Sequence, residues 1–170
     1  SKAYGALKVT DAISLAVDAG ETFGFLGPNG AGKTTLFNLI SGDVRCDAGS
    51  VHLEGRDITG LKPHQRCRRG VGRSYQVPQP FGHMTAFENL VTAACFGGGQ
   101  AEREAWQTAH DVLGQTGLRA QANQPAGGLR LLDRKRLELA RALATRPKVL
   151  LLDEIAGGLT EHEAKELVAE

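Results

Sequence analysis

The sequence predicts an α/β fold with a mainly parallel sheet core, an antiparallel β part and a helical subdomain. Three observations carry that expectation. Residues 22–26 (TFGFL) form a short apolar run that leads through a glycine-rich loop into TLFNLIS, a helix former that Gly42 ends. Residues 149–153 (VLLLD) are a second apolar run, and continuous Val and Leu suit a strand covered on both faces of a parallel sheet. Between them, residues 85–116 have the composition of a mainly helical insert.

The remaining elements follow in chain order. Residues 44–57 (VRCDAGSVHLEGRD) alternate polar and apolar side chains around glycines, as a short hairpin or edge strands do. Residues 66–76 (RCRRGVGRSYQ) are basic and then strand-like, and Pro78, Pro80 and Gly82 break any regular element after them. Residues 97–99, all glycine, give a flexible entry to a helix that places Ala105, Ala109, Val112 and Leu113 at helical spacing. Residues 134–144 (RKRLELARALA) form a further helix, and Pro147 stops it just before the second apolar strand. Thr160 followed by Glu163 is a capping box for a last helix with Ala164, Leu167 and Val168 on one face.

Composition narrows the function classes. A chain of 170 residues with 41% hydrophobic residues suits one soluble domain with a core of its own. Its 20 basic and 19 acidic residues leave a formal charge of +1, so no overall field draws it to nucleic acid or an anionic membrane. Glycine is the outlier, at 22 residues, which implies backbone positions with positive φ or close approach to a ligand. Cys46, Cys67 and Cys95 are odd in number and widely spaced, without a zinc-ligand pattern, so reduced thiols are expected. No apolar run reaches the roughly 20 residues that span a bilayer; if a membrane matters, another chain crosses it.

Residues 27–34 match G-x-x-x-x-G-K-T, the spacing of a phosphate-binding loop. Successive backbone N–H groups must wrap a polyphosphate without Cβ atoms in the way, and Gly27, Gly30 and Gly32 supply that freedom around Pro28, Asn29 and Ala31. The helix N-terminus adds about half a positive charge. Lys33 adds a full one for the β- and γ-phosphates, the Thr34 hydroxyl suits magnesium, and Thr35 is placed for the α-phosphate. The expected ligands are ATP and Mg2+.

The second candidate cluster is the acid pair that ends VLLLDE. Side chains alternate along a strand, so Asp153 and Glu154 take different directions: Asp153 toward the metal through water, Glu154 toward the attacking water as general base. A pair of strand-end acids that merely meets solvent is the competing reading.

With residues 27–35, Gln76, RLELARALATRPK and VLLLDE in this order, the chain resembles the nucleotide-binding subunit of an ATP-binding cassette (ABC) transporter over nearly its whole length. Within that superfamily, GVGRSYQVPQPFGHMTAFENL and VLLLDEIAGGLT look most like the ATPase subunits of branched-chain amino acid importers. The resemblance implies a P-loop NTPase fold and a single cassette over residues 1–170. Residues 1–77 and 145–170 form its ATP-binding core, and residues 78–144 a helical subdomain with the signature region. It implies that Tyr4 stacks on adenine, that Gln76 contacts the metal or its water and links the ATP site to the membrane subunit, and that residues 77–89 meet that subunit. The expected partners are a second ATPase subunit in a head-to-tail dimer, transmembrane permease subunits and, indirectly, a solute-binding protein, with no nucleic acid. The expected location is the cytoplasmic face of the cell membrane.

Departures from the family pattern qualify these expectations. By spacing, the L-S-G-G-Q signature falls on Leu129, Arg130, Leu131, Leu132 and Asp133, where leucines replace both glycines and arginine the serine. By letter, Ala126, Gly127, Gly128, Leu129 and Arg130 match better but lie early, and spacing is preferred. Arg130 and the following helix N-terminus are expected to replace the lost contacts electrostatically, with a plain solvated arginine as the rival reading. Arg134, Lys135 and Arg136 are expected on an exposed helix face. Ile155 and Thr160 stand where proline and aspartate are common, and none of the five histidines falls at the family's switch position. The chain therefore resembles a truncated cassette with weak or absent turnover on its own. A soluble non-transport ABC ATPase, a GTPase or P-loop kinase, and a catalytically dead binding module remain the competing classes.

Overall fold

The computed structural model describes residues 1–153, in two compact units that divide after Arg66. Glu154, Ile155, Thr160 and His162, with the expected last helix, lie outside the described residues.

The first unit opens with a hairpin, β1 (Lys2–Tyr4) antiparallel to β2 (Leu7–Thr10). Asp47 fastens β1 by accepting from Lys2 Nζ at 2.6 Å and from the Ala3 N–H at 2.8 Å. Helix α1 (Lys33–Ser41) follows the glycine-rich loop and ends where expected: Gly42 takes φ +87° and its N–H donates to the Asn38 carbonyl. The alternating stretch forms the hairpin β3 (His52–Leu53) with β4 (Arg56–Asp57), joined through Glu54 and Gly55 at φ +49° and +74°. Positive φ at both central positions matches the right-handed twist of the flanking strands.

Residues 22–26 are a correction, because the apolar run is not a strand. Apolar sequence supplies a face to bury, but a strand also needs a neighbour for its N–H and C=O groups, and no ladder forms there among the described residues. Instead Phe25 makes edge-to-face contacts with Phe23 and Phe37, with centroids 5.1 and 5.9 Å apart.

Helix α2 (Pro63–Arg69) carries Arg66, which is 2% exposed. Its guanidinium donates to the carbonyls of Leu39, Ile40, Thr59 and Leu61. A side chain from another helix thus satisfies acceptors that the C-terminal end of α1 leaves without intrahelical donors.

The second unit holds β5 (Val71–Ser74) and β6 (Val149–Leu152), which pair in parallel, Val71 opposite Val149 and Ser74 opposite Leu152. The parallel strand expected at residues 149–153 is present. Between β5 and β6 lie α3 (Ala86–Thr92), a π-helical turn (Ala93–Gly97), α4 (Glu102–Gln115) and α5 (Leu131–Ala144). The periodicity of α4 reads correctly: Ala105, Ala109, Val112 and Leu113 are all buried, in one cluster with Leu90, Leu118 and Leu137. Alanines at 86, 94, 105, 109, 140 and 144 are fully buried in that cluster, and such small side chains let helices pack closely. Thr85 and Glu88 form a reciprocal capping box at the start of α3. No helix of the described residues is long and apolar enough to cross a membrane.

Candidate functional site

The phosphate loop takes the backbone its glycines predict. Gly30 and Gly32 have φ of +82° and +89°, in the left-handed region. A Cβ on Gly32 would sit 2.7 Å from the Val9 carbonyl oxygen, so β2 leaves no room for a side chain there. The Ala31 N–H donates to the Pro28 carbonyl at 3.2 Å, and the Leu36 N–H to Gly32 at 2.9 Å, which starts the α1 ladder. The first turn of α1 has no acidic residue and no side-chain cap bond, so the helix itself sets no carboxylate against its N–H groups. Lys33 Nζ lies over the loop, donating to the carbonyls of Gly27 at 2.6 Å and Pro28 at 2.9 Å. Thr34 is exposed and Thr35 half-buried in the same turn. Glycine backbone, one ammonium, one hydroxyl and a bare helix N-terminus fit a polyphosphate.

Tyr4, also in the first unit, is 51% exposed, with Lys2 Nζ 5.4 Å from its ring centroid. An exposed ring can stack on a flat base.

In the second unit, chain direction brings Gln76 and Asp153 to one end of one ladder. β5 and β6 run in register to Ser74 and Leu152, so Asp153 leaves β6 beside Tyr75, one residue before Gln76. Parallel strands present their ligands at these carboxyl ends. Asp153 is 5% exposed, and its Oδ2 lies 3.6 Å from Nη2 of Arg73, whose side chain is equally buried. The Arg73 guanidinium also covers the Tyr75 ring, 4.8 Å from the centroid. Gln76 has an exposed side chain, and its carbonyl accepts from Lys135 Nζ at 2.8 Å. Gln76 and Asp153 each offer a hard oxygen donor in this unit, as Thr34 does in the first, and each donor taken by itself suits magnesium.

The basic residues of α5 are a correction to the sequence reading. Lys135 is 6% exposed and bound to Gln76, while Arg134 donates to the carbonyls of Gly127 and Leu129. Arg136 lies 3.7 Å from Asp133. Arg134 fastens the turns before α5, Lys135 the segment after β5, and Arg136 pairs within α5, so they do not form an open face. Arg141 extends the pattern, donating to the Gln79 carbonyl and covering the Phe81 ring at 5.3 Å. Residues 81–89 are likewise held: the buried Asn89 side chain exchanges hydrogen bonds with the Phe81 backbone.

Helix α5 begins within the stretch that the signature expectation covers. Ala126–Gly128 is a separate 3-10 turn, Leu129 is buried, and the exposed Arg130 occupies the N-cap position without a side-chain cap bond. The span from 129 to 133 carries the N-terminus of α5, and Leu131 on it is exposed. Sequence reasoning missed Arg66, Arg73 and the role of Lys135. No local spacing marks an arginine whose partner is a carbonyl or an acid far along the chain.

A family model described as ABC transporter matches residues 10–157. The chain belongs to the ABC transporter family, as an ATP-binding cassette. It is 38% identical over 180 residues to the high-affinity branched-chain amino acid transport ATP-binding protein BraF of Pseudomonas aeruginosa, covering 98% of this cassette and 71% of that protein. It is 36% identical over 159 residues to the lipopolysaccharide export system ATP-binding protein LptB of Haemophilus influenzae, covering 94% and 66%. A nucleotide-free ATP-binding cassette from an ABC transporter superposes with a TM-score of 0.84 at 30% identity, over 99% of this cassette and 71% of that chain. A dimeric cassette bound to ADP and Pi superposes with a TM-score of 0.78 at 25% identity, over 91% and 69%. The P-loop α/β fold and the ATPase class of this cassette follow, and the GTPase and P-loop kinase classes drop away.

Proposed function

We propose that the cassette hydrolyses ATP to power import of branched-chain amino acids, as one half of a head-to-tail dimer at the cytoplasmic face of the cell membrane. The dimer would act on permease subunits that a solute-binding protein supplies. The observation that carries the importer reading is the 38% identity to BraF over 98% of the cassette.

The loop residues Gly27, Pro28, Asn29, Gly30, Ala31 and Gly32 bind the polyphosphate through backbone N–H groups, Lys33 neutralises the β- and γ-phosphates, and Thr35 takes the α-phosphate. Tyr4 stacks on the adenine. Thr34, Gln76 and Asp153 are the residues that would hold Mg2+, and the ion would neutralise charge that develops on the phosphate oxygens. Glu154 takes the proton of the attacking water as its oxygen bonds to the γ-phosphorus in line, and the bond to the bridging oxygen breaks to give ADP and phosphate. Arg130 at the start of α5 supplies a positive contact toward the nucleotide held by the opposite subunit.

Two experiments test the proposal. Glu154→Gln should keep ATP affinity and abolish hydrolysis, and undiminished turnover would reassign the base. Deleting the gene should depress uptake of labelled leucine, isoleucine and valine together; unchanged uptake with a defect in another solute or in lipopolysaccharide export would reject the importer reading.

A further inference from the structure

At the end of the β5–β6 ladder, the Asp153 carboxylate is almost wholly buried with a full positive charge beside it. A carboxylate in that position is costly unless a counter-charge or hydrogen bonds compensate it. Arg73 stands 3.6 Å away, and β5 and β6 place it by backbone register, with Arg73 opposite Leu151. Side chains two residues apart on a strand share a face, so Arg73 reaches past Leu151 to Asp153 along one side of the ladder. On its other side the guanidinium lies against the Tyr75 ring, and Gln76 follows at once.

We infer that Arg73 is a positioning residue for Asp153: it engages Oδ2, leaves Oδ1 for the shell of the cation, and ties that carboxylate's orientation to the segment carrying Gln76. Partners outside the immediate shell commonly orient metal-binding side chains and tune how tightly the ion is held. A planar guanidinium suits this task, since it offers directed donors to the carboxylate and a flat face to the tyrosine; an ammonium offers only a point charge. The inference depends on the assignment of Asp153 to the cation.

The test compares ATP affinity in Mg2+ with ATP affinity in EDTA, by calorimetry on the purified protein. In Arg73→Met the gain in affinity that Mg2+ gives should fall by about tenfold. Affinity in EDTA, which reads the phosphate loop alone, should stay within about twofold of wild type, and Arg73→Lys should recover only part of the loss. A full Mg2+ gain in a well-folded Arg73→Met protein would overturn the inference and leave Arg73 as a fold contact. If Arg73→Met does not fold, Tyr75→Leu, which removes the shelf and keeps the ion pair, should show a smaller fall, and an unchanged gain there would overturn it equally. Asp153→Asn separates the two readings. If that variant keeps the wild-type gain, Asp153 is not a cation ligand and both readings fail; if it loses the gain while Arg73→Met and Tyr75→Leu keep it, only the role of Arg73 fails.

Discussion

The Arg66 guanidinium donates to the Leu39 carbonyl at 2.6 Å, so a side chain from α2 closes the far end of the helix whose first turn carries Lys33 and Thr34. The phosphate loop is thereby anchored at a helix that is held at both ends, by β2 against Gly32 and by Arg66 at Leu39 and Ile40. Gly42 belongs to the same arrangement: a Cβ there would sit 2.8 Å from Arg66 Nε.

Arg66→Met should therefore destabilise the protein without touching a nucleotide contact. Buried carbonyls left without donors cost about 1–3 kcal/mol each, and part of that is recovered by water entry, so a net loss of about 3 kcal/mol is expected. Urea unfolding should show the lower midpoint, while ATP affinity measured well below that midpoint should change less than about twofold. A midpoint equal to wild type would mean that water replaces the guanidinium at little cost.

Lys33→Ala separates charge from fold. Lys33 binds loop carbonyls that are exposed, so its loss should leave the unfolding midpoint nearly unchanged. A charge-assisted contact to phosphate is worth about 1.5–3 kcal/mol, which predicts ATP affinity lower by about tenfold to a hundredfold. Calorimetry reads both, and retained affinity would remove Lys33 from the phosphate contacts.

Gly32→Ala acts through the backbone instead. The φ of +89° and the Val9 carbonyl 2.7 Å from the added Cβ both oppose a side chain, and a residue forced into such a position costs about 1–3 kcal/mol. The loop relaxes by moving away from β2, so ATP affinity should drop along with stability. A variant with wild-type affinity would show that the cradle tolerates a shift of the α1 N-terminus.

What the sequence revealed and what it hid divide along one physical line. Gly27, Gly30, Gly32, Lys33 and Thr34 were legible because their chemistry is local: backbone freedom, one charge and one hydroxyl at fixed separations along the chain. The buried face of α4 was legible for the same reason, since Ala105, Ala109, Val112 and Leu113 recur at the period of the helix itself. Residues 22–26 were misread because a strand is a relation with a neighbour, and apolar composition says nothing of whether a ladder forms. Arg66, Arg73 and Lys135 looked like members of basic runs; their partners include carbonyls 26 and 27 residues away for Arg66 and 59 away for Lys135, and for Arg73 an acid just past the end of the paired strand. Charge runs read as solvated faces until the backbone shows which acceptors they meet.

The last prediction concerns acid. Asp47 is held below its ordinary value of 3.8 by the Lys2 ammonium and the Ala3 N–H, and Glu88 below 4.5 by the backbone N–H and hydroxyl of Thr85. Asp57 is lowered in the same way by the hydroxyl and N–H of Thr59. In each case the folded protein prefers the charged form, so the stabilisation is complete above the ordinary values and is lost as pH falls from there through the lowered folded values. Asp47 fastens the strand that carries Tyr4, and Glu88 caps the helix after residues 77–85, so acid should loosen the proposed adenine contact and the start of α3. Stability should be flat with respect to these groups near neutrality and decline below about pH 4.5. Asp47→Asn and Glu88→Gln together should shallow that decline in urea midpoints taken between pH 6 and pH 3, roughly the range in which such carboxylates titrate. An unchanged slope in the double variant would assign acid sensitivity to other groups.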